Sequence, residues 1–160
     1  MAESTSTVPE VEGSPKPGPQ HKHLQVFVGK WITEAAPLPL NNSPPLDVTA
    51  VDEYEWLPGE FFLLHRVTSR HGENEIHGTE IIGYDEQSGT YPMHFFDHKG
   101  TATVSQLSRN DDGSWTITAE SQRSTIVFEE EGNAFSAAWE RKSNGSDWEH
   151  WMDVKLYKAR

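Results

Sequence analysis

From Gly29 onward the chain alternates apolar and polar side chains with a period of two, broken at short intervals by turn signals. Such a period puts successive side chains on opposite faces of a β-strand, and no helical period of convincing length interrupts it. Strands are expected at 30–35, 47–56, 60–69, 74–84, 90–98, 101–108, 114–121, 124–130, 133–141 and 147–157. Between them lie Pro58-Gly59, His71-Gly72, Ser88-Gly89, Lys99-Gly100, Asp112-Gly113, Gly132-Asn133 and Asn144-Gly145. Connections this short join antiparallel neighbours. About ten such strands in a flat sheet would leave long unpaired edges, and closure removes them. The expected fold is therefore all-β, an antiparallel up-and-down β-barrel of about ten strands.

Two segments escape the alternation. Residues 22–28, KHLQVFV, suit one or two helical turns with Leu24, Phe27 and Val28 on one side and Gly29 as the stop. A short N-terminal helix of that kind can plug one end of a barrel. The segment 36–46, APLPLNNSPPL, holds four prolines and reads as an irregular connection, either a loop over the barrel mouth or a surface crossover. Residues 1–20 are rich in Pro, Ser, Thr, Gly and Glu, with little to bury, so a disordered tail is expected ahead of a single domain at 21–160.

Charge and composition narrow the function. The 25 acidic and 13 basic residues among 160 give a formal charge of −12, which disfavours nucleic acid and anionic membrane surfaces as partners. The chain has no cysteine, so disulfides and thiolate chemistry are excluded. The N-terminus lacks the basic start and apolar stretch of a signal peptide, and no run approaches the length of a membrane helix. A soluble, cytoplasmic protein is expected.

The stretch YPMHFFDHKG, 91–100, holds two histidines that would form a metal pair on a helix. Pro92 and the flanking aromatics favour a strand instead, where His94 and His98 lie about 13 Å apart. Two imidazoles so separated cannot share a zinc ion with bonds near ~2.1 Å. The pair is therefore not read as a metal site, and the leading expectation includes neither a metal nor a cofactor. Asp97 suits a cap for the Lys99-Gly100 turn, while His94 is the histidine of this strand expected to reach the lumen.

Other strands interrupt an apolar face with one polar group. Phe61, Leu63, His65 and Val67 share a face, which points His65 inward. Ile76, Gly78, Glu80, Ile82 and Tyr84 share another; if that face is internal, Glu80 is an inward carboxylate that needs a partner such as His or Arg. In the last strand Trp148, His150, Met152, Val154 and Leu156 alternate as one apolar set, which puts His150 inside and Trp151 on the opposite face. Phe135, Ala137 and Trp139 form a similar set in the strand before it.

Gly29-Lys30-Trp31 after a short helix looks like the Gly-x-Trp opening of lipocalin-type barrels. Together with EYEWLPGEFFLLHRV (53–67), IIGYDEQSGTYPMHFFDHKG (81–100), DGSWTI (112–117) and the run 135–160, it resembles a bacterial calycin-like family catalogued as domain of unknown function fifteen-seventy-nine. The family's Met-His-Tyr-Phe-Asp-Ser-Arg-Gly stretch is matched by Met93, His94, Phe95, Phe96, Asp97 and Gly100, with His98 and Lys99 in place of Ser and Arg. The resemblance spans about residues 21–160 and implies a calycin-like barrel without an established activity.

The leading expectation is a binding module for a small apolar or aromatic molecule, oriented by His65, Glu80, Tyr84, His94, Trp139 and His150. Three alternatives stand beside it. One is a cavity enzyme in which His and Glu move protons in an isomerisation or cyclisation. Another is a barrel that holds haem through one histidine. The last is a filled barrel that acts through its surface or as a homodimer. No glycine-rich phosphate loop, dinucleotide fingerprint or serine-hydrolase elbow is present.

Overall fold

The structure, a computed structural model, describes residues 14–37, 48–142 and 147–159. Ten antiparallel strands follow one short helix: β1 (Gly29–Pro37), β2 (Val48–Trp56), β3 (Leu63–His71), β4 (Asn74–Ile82) and β5 (Tyr91–Asp97), then β6 (Ala102–Arg109), β7 (Trp115–Thr118), β8 (Gln122–Glu129), β9 (Ala134–Arg141) and β10 (Glu149–Lys158). Each strand pairs with its neighbour in sequence, and β1 also pairs with β10, so the sheet closes on itself. Trp31 opposite Lys158 and Ile32 opposite Tyr157 belong to that closing seam. The up-and-down barrel expected from the alternation is the fold observed.

Local departures have physical reasons. β3 starts at Leu63 rather than at 60, because the Pro58-Gly59 turn extends through Glu60, whose φ of 59° is left-handed, and Leu57 N–H donates to the Phe62 carbonyl. The helix α1 (Pro19–Lys22) begins earlier than residue 22 and continues as a 3₁₀ turn, His23–Phe27. Pro19 takes the first helical turn, where its missing N–H costs nothing. Gly29 then carries the chain into β1 with a φ of 133°, and a Cβ there would lie 2.8 Å from Cε of Lys158. The connection read at 36–46 and the Asn144-Gly145 turn lie outside the described residues, save Ala36 and Pro37, which complete β1.

The helix closes one end of the barrel. Leu24 and Phe27 are buried among Trp31, Tyr91, Trp115 and Phe135, each contributing about 2 kcal/mol of hydrophobic stabilisation. Three polar contacts fix it there. Tyr91 donates its hydroxyl to the Gln20 carbonyl at 2.7 Å, Trp56 its indole N–H to Oε1 of Gln25 at 2.7 Å, and Trp31 its own to the Phe27 carbonyl at 2.8 Å. With this end filled, the open volume among the described residues lies toward the other end, lined by inward side chains from β1 round to β10.

Candidate functional site

The inward face of β2 carries Ala50, Asp52 and Tyr54, that of β3 carries His65, Val67 and Ser69, and β4 contributes Glu80. The register sets Tyr54 opposite His65 and His65 opposite Glu80, while Asp52 stands one inward position along β2 from Tyr54. Side chains opposite and diagonal across antiparallel strands fall within contact distance. Three strands next to one another thus assemble a polar cluster on an otherwise apolar wall.

His65 is its centre. Its Nε2 lies 2.7 Å from Oδ1 of Asp52 and its Nδ1 lies 3.0 Å from Oε1 of Glu80. The three residues are 8%, 9% and 7% exposed for Asp52, His65 and Glu80 respectively, so the hydrogen bonds form with little competing water. The Tyr54 ring stacks on the imidazole with centroids 4.0 Å apart and planes 5° from parallel. Thr33 donates its hydroxyl to Oδ2 of Asp52 at 3.4 Å, a long contact. The second Glu80 oxygen, Oε2, has no hydrogen-bond partner among the described residues.

Burial opposes a charge on His65, but hydrogen bonds to Asp52 and Glu80, together with their charges, outweigh it and raise its pKa to about 9. At neutral pH His65 is therefore an imidazolium that donates through both nitrogens. Burial, then the charges of Asp52 and Glu80, push the Tyr54 phenol well above its ordinary value, so it stays neutral.

The cluster lines a cavity of about 290 Å³, whose remaining walls include Met93, Phe95, Ile117, Ile126, Phe135 and Met152. A wider space of about 870 Å³ shares His71, Glu80, Phe95, Trp139 and Met152 with it and forms the mouth. Among the described residues no lysine or arginine lines the cavity. Among the described residues no group of three His, Asp or Glu is arranged to hold a metal ion. Nor does His65 fit the role of a haem ligand, because both of its ring nitrogens are committed to carboxylates. His71 at the rim is the other histidine that lines the cavity.

The sequence-derived candidates divide. His65, Glu80 and Trp139 line the cavity. Tyr84 does not; it packs at the plugged end, 5.0 Å from the Tyr91 ring and 5.7 Å from that of His21. His94 is exposed on the outer face of β5, since Tyr91, Met93 and Phe95 take the inner one. Asp97 caps its turn as expected, accepting from the N–H groups of Lys99 and Thr101 at 2.9 Å each.

His150 is also exposed, 2.8 Å from Asp153. A register shift between His150 and Met152 breaks the alternation there, so Met152, Val154 and Leu156 line the cavity while His150 turns out and Trp151 reaches the mouth. Two residues of the cluster, Asp52 and Tyr54, were not among the candidates. The signal was available, since Ala50, Asp52, Tyr54 and Trp56 alternate as an apolar face with one acid in it, the pattern that singled out Glu80.

Among solved structures, Rv2717c from M. tuberculosis is similar to this chain at 13% identity and a TM-score of 0.65, with 89% of this chain and 99% of that chain covered. The S-type phycobiliprotein lyase CpeS from Guillardia theta is similar at 9% identity and a TM-score of 0.62, with 90% and 99% covered. At such identities the likeness is one of fold. No curated protein matches the chain. No helix among the described residues is long and apolar enough to cross a membrane. The family model described as "Protein of unknown function (DUF1579)" matches residues 16–152, so the chain belongs to that family.

Proposed function

We propose that the protein binds one small molecule with an apolar or aromatic body in the barrel lumen, its polar end held at Asp52, His65 and Glu80. The observation that carries this reading is an apolar cavity of about 290 Å³ with one buried polar cluster in its wall, and an unused acceptor at Oε2 of Glu80. Binding pockets combine apolar walls with a few placed polar groups in this way, and their volumes start at about 300 Å³. Trp139 and Phe95 would close over the guest near the mouth.

Native mass spectrometry and an absorption spectrum of freshly purified protein test this. A bound mass, lost when Ala137 in the cavity wall is replaced by Leu, is the expected result. Protein that stays empty and takes up no aromatic probe saturably would refute it. A Soret band would instead assign the lumen to haem, with His71 as the histidine to replace.

A second reading, proton-transfer catalysis in the same cavity, is favoured by one observation. The free oxygen of Glu80 is a base beside the lumen, and the His65 imidazolium behind it can stabilise its charge. Glu80→Gln separates the two: it removes turnover under the catalytic reading, while a neutral guest still binds under the first.

A further inference from the structure

The buried cluster carries an unbalanced charge. With His65 protonated, two carboxylates face one imidazolium, which leaves a formal charge of −1 in a wall to which no lysine or arginine among the described residues contributes. The remaining titratable residues of that lining are Tyr54, a neutral phenol, and His71 at the rim. Oε2 of Glu80 accepts nothing from the described residues and is open to the cavity rather than sealed. A largely buried charge without a partner is costly, and an acceptor open to the lumen can take a donor from a guest. Neither arrangement suits a wholly apolar guest.

We infer that the lumen selects a monocationic guest, an ammonium or amidinium group on an aromatic or apolar body, with its nitrogen donating to Oε2 of Glu80. Such a group supplies both the missing donor and the missing positive charge. Phe95 and Trp139, which line the same cavity, are aromatic neighbours of the kind that favour a cation over a neutral group. The chain's formal charge of −12 draws cations toward the mouth and repels carboxylates. A guest with an anionic head would place a second uncompensated charge against Asp52 and Glu80. The inference rests on the proposed lumenal binding and specifies its ligand class.

Three probes of matched shape test it at pH 7: 1-naphthylmethylamine, 1-naphthalenemethanol and 1-naphthoate, titrated calorimetrically into the full chain. The amine is expected to bind roughly tenfold or more tighter than the alcohol, since a charged hydrogen bond replaces a neutral one, with naphthoate weakest. In Glu80→Gln the margin between amine and alcohol should close. Equal affinities of wild-type protein for amine and alcohol, or a preference for naphthoate, overturn the inference and leave lumenal binding standing. Saturable binding of none of the three overturns both. Should Glu80→Gln not fold, the wild-type ranking and Asp52→Asn decide the matter.

Discussion

Raising the pH should destabilise this barrel through one residue. The folded-state pKa of His65 is about 9 against an ordinary value of 6.5, so between those values the native protein holds a proton that the unfolded chain has released. Stability then falls as pH rises. Its full contribution is present below about pH 6.5 and is lost through pH 9. Each pH unit in that window carries about 1.4 kcal/mol, which makes the whole swing about 3 kcal/mol, a large part of the stability of an ordinary domain. Carboxylates with lowered values, such as Glu75 and Glu129, titrate well below the window, and Tyr91, pushed up to about 12, titrates above it. Urea unfolding of wild type and of His65→Gln at half-unit steps from pH 6 to 9.5 isolates the effect. The wild-type curve should fall by about 3 kcal/mol relative to the variant. Parallel curves, or a wild-type stability that climbs with pH, would show that His65 is not held charged by its two carboxylates.

Further substitutions address the cluster and its surroundings. Glu80→Ala leaves the Nδ1–H of His65 buried without an acceptor and should cost about 3 kcal/mol in urea unfolding, whereas replacing Asp52, His65 and Glu80 together by apolar residues of similar volume should recover most of that. Gly78→Ala builds a Cβ 2.4 Å from Cε2 of Phe95 and 3.0 Å from Cγ1 of Val67; a loss of about 1–3 kcal/mol and weaker uptake of aromatic probes are expected, because the Phe95 ring is driven into the lumen. Trp31→Phe removes a buried indole N–H that donates to the Phe27 carbonyl, and a drop of about 1–3 kcal/mol should appear with looser protection of amides in residues 19–27 in hydrogen exchange.

The barrel was legible because its turns are chemically marked and its strands alternate. Those signals are local, and closure follows from the need to cover edges. Legibility of the site stopped where orientation depended on something other than period. For β3 and β4 one face was clearly more apolar, so the inward direction of His65 and Glu80 could be read. β5 carries an aromatic on both faces, Phe95 inside and Phe96 half exposed outside, and the period could not tell which way His94 points. In β10 a single irregular residue step inverts the face N-terminal to Met152, so His150 leaves the lumen although its neighbours two and four positions on remain inside. Tyr84 lies beyond the end of β4, where strand alternation no longer determines direction. Contact between Asp52 and His65 depends on register, which pairs Tyr54 with His65 and is not visible within either strand alone.

The polar cluster occupies three strands next to one another, β2 to β4, while Ile126, Phe135, Ala137, Met152 and Leu156 on β8 to β10 furnish an apolar wall. Under the proposed lumenal binding, recognition would be divided between two sets of residues with no side chain in common. Changes of size on β8 to β10 can retune which skeleton fits without touching the group that holds its head. On that proposal, a barrel of this design could change its guest through one half of the sheet while the chemistry of the other half stays constant.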